Sequence, residues 1–255
     1  KKEDFFFFFQ WNYFCHFRES FKQQVLEWSK ALPQLQELQK QAAKKAGTPD
    51  YSFENPLVYN SDLDKISQTD DIKLIVIGDN PGKDEQLDKN RRYLCGQAGK
   101  LAAGFFKKHP ELDIDFSRNV IILNKTPVHS AKTAQLKEII KTGGPEAGSL
   151  ILDSQKWMAE ETAKLHQNFK ELDLWLVGYS ELKEKGLFCP YRDYLREAYK
   201  NSPQDWQRVL VFQHFSMNRF SIDLKDFTKN HPELSLKEQL ALLGKAHKDE
   251  IFPQV

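Results

Sequence analysis

A short apolar run that ends in a glycine- and proline-rich turn constrains the fold of this chain more than any other feature. Residues 72–77 read IKLIVI, and the turn at 78–82, GDNPG, follows directly. A nearly continuous apolar run of this length is typical of a strand that is buried on both faces of a sheet. Open α/β sheets bind ligands outside the carboxyl ends of such strands. We therefore expect Asp79 and Asn80 to lie where a ligand would bind.

Three more runs of this kind follow, and polar residues stand at two of their ends. The runs are NVIILN at 119–124, LWLVG at 174–178 and RVLVF at 208–212. Asn124 closes the first run, and His214 lies just beyond the last. Helical patterns occupy much of the intervening sequence, at 21–45 with a break near Pro33, from the glycine-rich segment 96–99 to His109, and at about 134–141, 147–169, 191–200 and 235–248. This alternation predicts a three-layer α/β/α fold with a mostly parallel central sheet of about four strands.

The length and composition of the chain suit one structural domain with a substantial core. The chain has 255 residues, of which 40% are hydrophobic, and a net charge of +1. We predict an N-terminal helical region, 1–70, packed on an α/β domain, 71–255. The Phe-rich start is expected to pack on the core as a helix or an extended segment. Because the net charge is close to zero, any binding to nucleic acid has to come from a local basic patch.

Cysteine usage and hydropathy exclude several classes of protein. Cys15, Cys95 and Cys189 are scattered without a CxxC pair, which predicts buried free thiols in a reducing compartment and neither a metal site nor a cofactor. No run reaches the roughly 18 apolar residues of a membrane span, and the Phe-rich start lacks the small-residue cleavage site of a signal peptide. We expect a monomer that has no secretion signal and no membrane partner, in the cytoplasm (prokaryotic-type, nucleoid-associated) or the nucleus.

Four segments, taken in their order, resemble the uracil-DNA glycosylase superfamily over roughly residues 70–225. GDNPG looks like the water-activating motif, and GQAGKL at 96–101 is similar to the Gly-x-Ala-Gly-x-Leu segment of the thermophile-type enzymes. NVIILN looks like the strand whose last Asn reads the uracil edge. HFSMN at 214–218 is similar to the His-Pro-Ser motif, which supplies the catalytic His and a wedge loop.

The chain departs from the family pattern in ways that mix its branches. Asn80 is like the mismatch-specific and single-strand-selective branches, whereas Asp79 matches the position of an acid in the thermophile-type branch. The iron–sulfur cysteines of that branch are absent, and Phe215 replaces the Pro of the His motif. The resemblance therefore implies the fold and the general chemistry, and it leaves open whether Asp79 or Asn80 positions the water.

The resemblance implies catalytic and base-binding roles for six residues. His214 would donate a hydrogen bond to the departing base oxygen, and Asn124 would pair with N3–H and O4 of a pyrimidine. Asp79 and Asn80 compete for the water, and Asp79 is favoured as the charged partner. The side chain that stacks on the base is expected at Tyr93 or Leu94, where the family usually has Phe.

Contacts to DNA are expected from the turns around this pocket. Pro81, Gly82 and Ser216 would face phosphates through a rigid turn, free N–H groups and a hydroxyl. Met217 or Arg219 would fill the gap left by a flipped nucleotide. A local basic rim is expected from Lys125, His129 and Lys132.

These roles predict a monofunctional DNA glycosylase that hydrolyses the N-glycosidic bond of uracil, or of a related deaminated base, in base excision repair. Its partner would be DNA containing uracil or another damaged base. Two alternatives stay open. The altered Phe215 and the missing stacking Phe are compatible with a catalytically weak protein that binds nucleic acid or another protein. A hydrolase of phosphate ligands would use a similar sheet, although the chain has neither a Walker loop nor a nucleophile elbow.

Overall fold

A four-stranded parallel sheet forms the centre of the molecule. The computed structural model describes the backbone of residues 2–252 and the side chains of residues 10–252. The strands lie in the order β2-β1-β3-β4, and every neighbouring pair is parallel. Their bounds are Leu74–Gly78 (β1), Val120–Asn124 (β2), Asp173–Val177 (β3) and Val209–Phe212 (β4).

Helices cover both faces of this sheet, so the predicted three-layer α/β/α fold is confirmed. They are α1 (Lys2–Ala31), α2 (Leu35–Lys45), α3 (Gln97–Lys108), α4 (Gln135–Asn168), α5 (Cys189–Ala198), α6 (Pro203–Gln207), α7 (Arg219–Asn230) and α8 (Leu236–Ile251). Short 3-10 turns lie at Ser61–Lys65, Pro110–Leu112, Tyr179–Leu182 and Ser216–Asn218.

Alternate residues of each strand enter two separate cores, which explains the continuous apolar runs. Ile75 and Ile77 of β1 face the core formed with α1, α2, α4 and α5. Leu74 and Val76 face a second core, rich in phenylalanine, that is formed with α3, α7 and α8. Because successive side chains of a strand point to opposite faces, both sets have to be apolar.

The N-terminal helical region shares the first core with the sheet. Phe14, Phe17 and Phe21 of α1 are buried, and the rings of Phe17 and Phe21 stack on Trp157 of α4, with centroids 6.2 and 5.4 Å away. Aromatic contacts of this kind therefore join the α1 helix to the α/β layers. The side chains of Phe5 to Phe9 lie outside the described residues.

The breaks expected within the helical patterns occur where proline and glycine stand. The α1 helix ends at Ala31, just before Pro33, and the α4 helix is interrupted at Gly144, whose backbone is non-helical with φ of 65°. The sequence pattern did not predict α6 or α7. The start of α7 was interpreted as a wedge loop, yet Phe220 and Leu224 anchor a helix against the second core.

The strand order places the carboxyl ends of β1 and β3 together at the middle of the sheet. The chain leaves β1 toward β2 on one side and later returns to β3 on the other, so the connections diverge at β1, which is where open α/β sheets form ligand crevices. Gly78, at the end of β1, is level with Asn124 of β2. No helix in the described part of the chain combines the length and the apolar character that crossing a membrane requires.

The three cysteines are free, but they are partly exposed rather than buried as expected. Cys15 lies within α1, Cys189 is the first residue of α5, and Cys95 lies two residues before α3, so each is near the surface end or side of a helix.

Candidate active site

Side chains from three strand ends line one cavity of about 780 Å³ at the carboxyl edge of the sheet. The N-terminus of α3 borders the same cavity through Gly96, Gln97 and Ala98. The predicted site residues that line it are Asp79, Asn80, Gly82, Leu94, Asn124, His214, Ser216, Met217 and Arg219. The fold thus brings together residues that are far apart in sequence.

Asn124 presents an unpartnered amide to this cavity. Its side chain is only 2% exposed, and its buried Nδ2 has no hydrogen-bond partner among the described residues. A Cβ on Gly78 would lie 2.5 Å from Asn124 Oδ1, so glycine at 78 is what leaves room for the amide. A buried N–H donor without an acceptor is costly, and of the few such atoms in the described residues this is the one at the cavity. Asn124 is therefore poised to bind an acceptor atom of a ligand.

Asp79 forms an ion pair with a lysine that the sequence did not place in the site. Lys125 Nζ lies 2.5 Å from Asp79 Oδ1, and the lysine side chain is fully buried. Burial lowers the pKa of Lys125, and the negative charge of Asp79 opposes this change. The expectation that Lys125 belongs to an exposed basic rim is wrong, because its ammonium points inward to the strand ends.

His214 is held as a neutral imidazole with one defined tautomer. The backbone N–H of Ser216 donates to His214 Nδ1 at 3.1 Å, and Ser216 Oγ lies 2.8 Å from the same nitrogen. Because a backbone N–H can only donate, Nδ1 must accept, and the ring proton resides on Nε2. Burial lowers the pKa of His214, although the nearby Asp79 carboxylate raises it in part. The Nε2–H group is the donor that remains for a ligand.

Asn80 lines the cavity, but its amide is committed to the neighbouring loop. Its Nδ2 donates to Ser130 Oγ at 2.9 Å, and its Oδ1 accepts from the Thr133 hydroxyl at 2.9 Å. By contrast, Asp79 Oδ2 makes no hydrogen bond among the described residues. Of the two candidates, Asp79 thus has a free oxygen beside the cavity.

The rest of the GDNPG turn is fixed by buried side chains. The Gly82 N–H donates to Glu85 Oε2 at 2.7 Å, so it is not free for a phosphate as expected. Pro81 is buried outside the cavity, and its carbonyl accepts a hydrogen bond from His129 Nδ1 at 2.9 Å. His129 is itself buried, which lowers its pKa to about 4, so it does not belong to a basic rim either. Of the three rim residues, Lys132 alone is exposed and lines the cavity.

Of the two residues expected to stack on a base, the structure brings only Leu94 to the cavity. Tyr93 is almost completely buried in the first core, and its hydroxyl donates to the Val58 carbonyl. Its ring face is therefore covered, and Tyr93 has to be removed from the predicted base-binding set. Leu94 has a positive φ of 48°, and its carbonyl packs so closely on Gly99 that any Cβ there would collide with it.

The predicted wedge lies at the mouth of the cavity. Met217 is 78% exposed, and both Met217 and Asn218 have positive φ, of 54° and 57°. Arg219 starts α7 and is exposed beside them. The fold thus holds an apolar side chain out in solvent on a tight turn next to His214. The hydroxyl of Ser216, expected to face a phosphate, is instead bonded to His214.

The sequence analysis assigned Lys125 to an exposed rim rather than to the strand ends, and it did not identify Glu85 at all. Glu85 is buried, lines the cavity and has a pKa raised to about 7, chiefly by burial, against the lowering effect of backbone N–H groups such as that of Gly82. The sequence does contain an indication that Lys125 is buried. It lies between Asn124 and the largely apolar Thr126-Pro127-Val128 stretch, where a lysine has little access to water. The charged segment 83–93 gave no such signal for Glu85, because its composition resembles a solvated loop.

Comparison of the chain with protein-family models, curated proteins and solved structures found no match. The resemblance to the uracil-DNA glycosylases remains a prediction that rests on the four motifs. Among the side chains of residues 10–252, no group of three or more His, Cys, Asp or Glu is placed to hold a metal ion. The chemistry that can be derived at this cavity is that of Asp79, Asn124 and His214.

Proposed function

We propose that the protein is a DNA glycosylase that hydrolyses the N-glycosidic bond of uracil, or of a related deaminated base. One observation carries the proposal. An amide with an unpaired donor, an anchored carboxylate and a neutral imidazole with a free N–H line the same cavity. Cleavage of an N-glycosidic bond creates a departing anionic base and a cationic sugar, and these three groups match those demands.

Asn124 and His214 would act on the base. The Asn124 amide offers a donor to a pyrimidine O4 and an acceptor to N3–H, which no cytosine presents in that arrangement. His214 would donate its Nε2–H to the base oxygen on which negative charge grows as the bond breaks. A donor aimed at developing charge typically contributes about 3 kcal/mol to transition-state stabilisation. The lowered pKa of His214 suits this role, because the imidazole stays neutral at physiological pH.

Asp79 would act on the sugar and on water. Its Oδ1 is bound by Lys125, and its Oδ2 is available to accept a hydrogen bond from an attacking water. A carboxylate there also favours positive charge on the sugar. The Lys125 ammonium has no proton left for a substrate, because it donates to Gly78 O, Asp79 Oδ1 and Val177 O. Hydrolysis by water, rather than attack by a lysine amine, is therefore the mechanism that we infer.

Features around the cavity support a DNA substrate. The positive end of the α3 helix borders the cavity and favours a phosphate. Met217 stands exposed at its mouth and is suited to enter the gap left by a flipped nucleotide. The cations that line the cavity are Lys83, Lys132 and Arg219, and this small number predicts a shallow dependence of binding on salt.

The proposal is tested by incubating the protein with uracil-containing single- and double-stranded oligonucleotides and then cutting abasic sites with alkali. We expect cleavage at uracil, and we expect Asp79→Ala to slow it at least ~100-fold. Asp153→Ala is the matched control and should leave the rate unchanged, since Asp153 is an exposed acid on α4 that does not line the cavity. No cleavage at enzyme excess on U:A, U:G, hypoxanthine and xanthine substrates would reject the glycosylase.

The alternative, a protein that binds nucleic acid without efficient catalysis, is favoured by one observation. The side chain at the stacking position is the aliphatic Leu94, which offers no aromatic face to a base. Tight binding of the same oligonucleotides without any abasic product would support that alternative.

A further inference from the structure

Lys125 lies at the point where three strands end. Its Nζ is 2.6 Å from Val177 O of β3, 3.3 Å from Gly78 O of β1 and 2.5 Å from Asp79 Oδ1. An ammonium has three protons, and each has an acceptor here. The side chain has no exposed surface, and the ring of Phe188 lies 5.2 Å from Nζ. A single buried cation thus joins β2 to the ends of β1 and β3.

The same ammonium holds the Asp79 carboxylate in one orientation. Lys125 binds Oδ1, and Gly178, at the end of β3, packs against the same oxygen so closely that any larger residue would collide with it. The carboxylate is therefore confined between a cation and a backbone, with its side chain 15% exposed. The Oδ2 atom is left without a protein partner beside the cavity.

We propose that Lys125 is a positioning residue that orients the Asp79 carboxylate toward the sugar and the water of the proposed glycosylase reaction. This inference rests on the proposed function, because it assigns Lys125 a role through Asp79. Lys125 does not touch substrate, since it is fully buried and does not line the cavity.

The charged groups around the Lys125–Asp79 pair determine the effect of removing Lys125. Asp79 faces Lys125 from β2 and His214 from the end of β4, and the Glu181 carboxylate lies near enough to Lys125 to influence it. Without the lysine, Asp79 Oδ1 loses its anchor, and no other described cation forms a salt bridge with this carboxylate. The carboxylate would then be free to rotate away from the sugar and the water. This loss of orientation lowers the rate of the chemical step and leaves substrate binding intact.

The test is a double-mutant cycle in the full chain with Lys125→Met, Asp79→Asn and both together. Methionine is an unbranched side chain one heavy atom shorter than lysine, and it removes the charge. Single-turnover cleavage of a uracil oligonucleotide gives the chemical rate, and fluorescence anisotropy on an uncleavable analogue gives the Kd. We expect Lys125→Met to lower the rate roughly 10- to 100-fold with Kd changed less than about 2-fold. In the Asp79→Asn background, the same change should alter the rate less than about 3-fold.

Lys248→Met is the matched control. Lys248 is also buried, and its Nζ donates to the Trp206 carbonyl at 3.0 Å, but it lies on α8 and does not line the cavity. Its removal should lower the melting temperature and leave the rate unchanged.

The outcomes separate this inference from the proposed function. If the wild type cleaves and Lys125→Met cleaves at the same rate, the role of Lys125 is overturned and the proposed function stands. An equal slowing by Lys125→Met in both Asp79 backgrounds also overturns that role, because it would indicate a general structural effect. Absence of wild-type cleavage overturns the proposed function and the role of Lys125 together. If Lys125→Met does not fold, the variant that carries both substitutions provides the test, because the residues at 79 and 125 are then both uncharged. A double variant much slower than Asp79→Asn overturns the inference, and an equal rate supports it.

Discussion

Two cavities share Leu94, and they differ in how far their polar groups are removed from water. The cavity at the strand ends measures about 780 Å³, and a second one, lined by residues such as Lys65, Arg92 and Phe116, measures about 560 Å³. The cations of the second cavity lie in solvent, with the side chains of Lys65 and Arg92 68% and 47% exposed.

The first cavity contains polar side chains that are largely removed from water, and the buried Lys125 lies directly behind one of them. Asn124 and Lys125 are buried, and Asp79 and His214 are mostly so. Burying such groups is costly unless they bond to one another, and among the fully buried atoms at this cavity the Asn124 amide nitrogen is the one without a described partner. Charged and polar groups under this constraint acquire the defined protonation states and orientations that catalysis needs, whereas solvated cations on a rim do not.

The sharpest test of this contrast compares one residue from each cavity. His214→Ala should slow uracil excision roughly 100- to 1,000-fold, because it removes the donor to the charged base oxygen. Arg118→Ala, in the second cavity, should change the rate less than about 3-fold. Single-turnover assays on the same oligonucleotide measure both. A large loss with Arg118→Ala would show that the second cavity takes part in the reaction.

The next effect concerns stability and its dependence on pH. Glu85 has a pKa raised to about 7 in the folded protein, against 4.5 as its ordinary value. The folded state therefore binds an extra proton between these values, and its stability relative to the unfolded state falls as pH rises from about 4.5 to 7. Glu85→Gln keeps an acceptor for the Gly82 N–H and removes the titration.

The variant should thus gain up to about 3 kcal/mol over the wild type at pH 8, and little at pH 4. Urea unfolding at several pH values measures the difference. A gap between the two proteins that does not vary with pH would show that Glu85 does not titrate in this range.

A smaller effect is expected from the glycine that makes room for Asn124. Gly78→Ala places a Cβ against Asn124 Oδ1, so the amide has to move, and excision should slow about 10-fold. Gly104→Ala is the control, because a Cβ at that position on α3 meets no atom within 4 Å. It should leave the rate unchanged and stabilise the helix by up to about 1 kcal/mol. Equal rates for Gly78→Ala and the wild type would argue against a role for Asn124.

The smallest effect separates Tyr93 from the site. Tyr93→Phe deletes a buried hydroxyl that donates to the Val58 carbonyl and should cost about 1 kcal/mol of stability. The rate of excision should not change, because the ring lies in the core. Thermal unfolding and the excision assay are run on the same preparation. Slower excision at unchanged stability would return Tyr93 to the base-binding set.

The resemblance to known motifs predicted the cavity better than it predicted the partners of each side chain. Asp79, Asn124 and His214 meet as expected, since the carboxyl ends of parallel strands share one edge of the sheet. The bonds of Gly82, Ser216 and His129 were not predictable, because each goes to an atom whose position depends on local turn geometry or on a distant segment.

The sequence by itself determined the strands, the layers and the edge at which polar residues gather, because apolar periodicity is a local property of the chain. The tertiary structure alone decided which of the adjacent residues Asp79 and Asn80 keeps a free oxygen. It did so by bringing Ser130 and Thr133 to the Asn80 amide and Lys125 to the Asp79 carboxylate. It also decided that Lys125, a residue type usually found at the surface, is buried as the counter-ion of Asp79, because its burial depends on which strands end beside it.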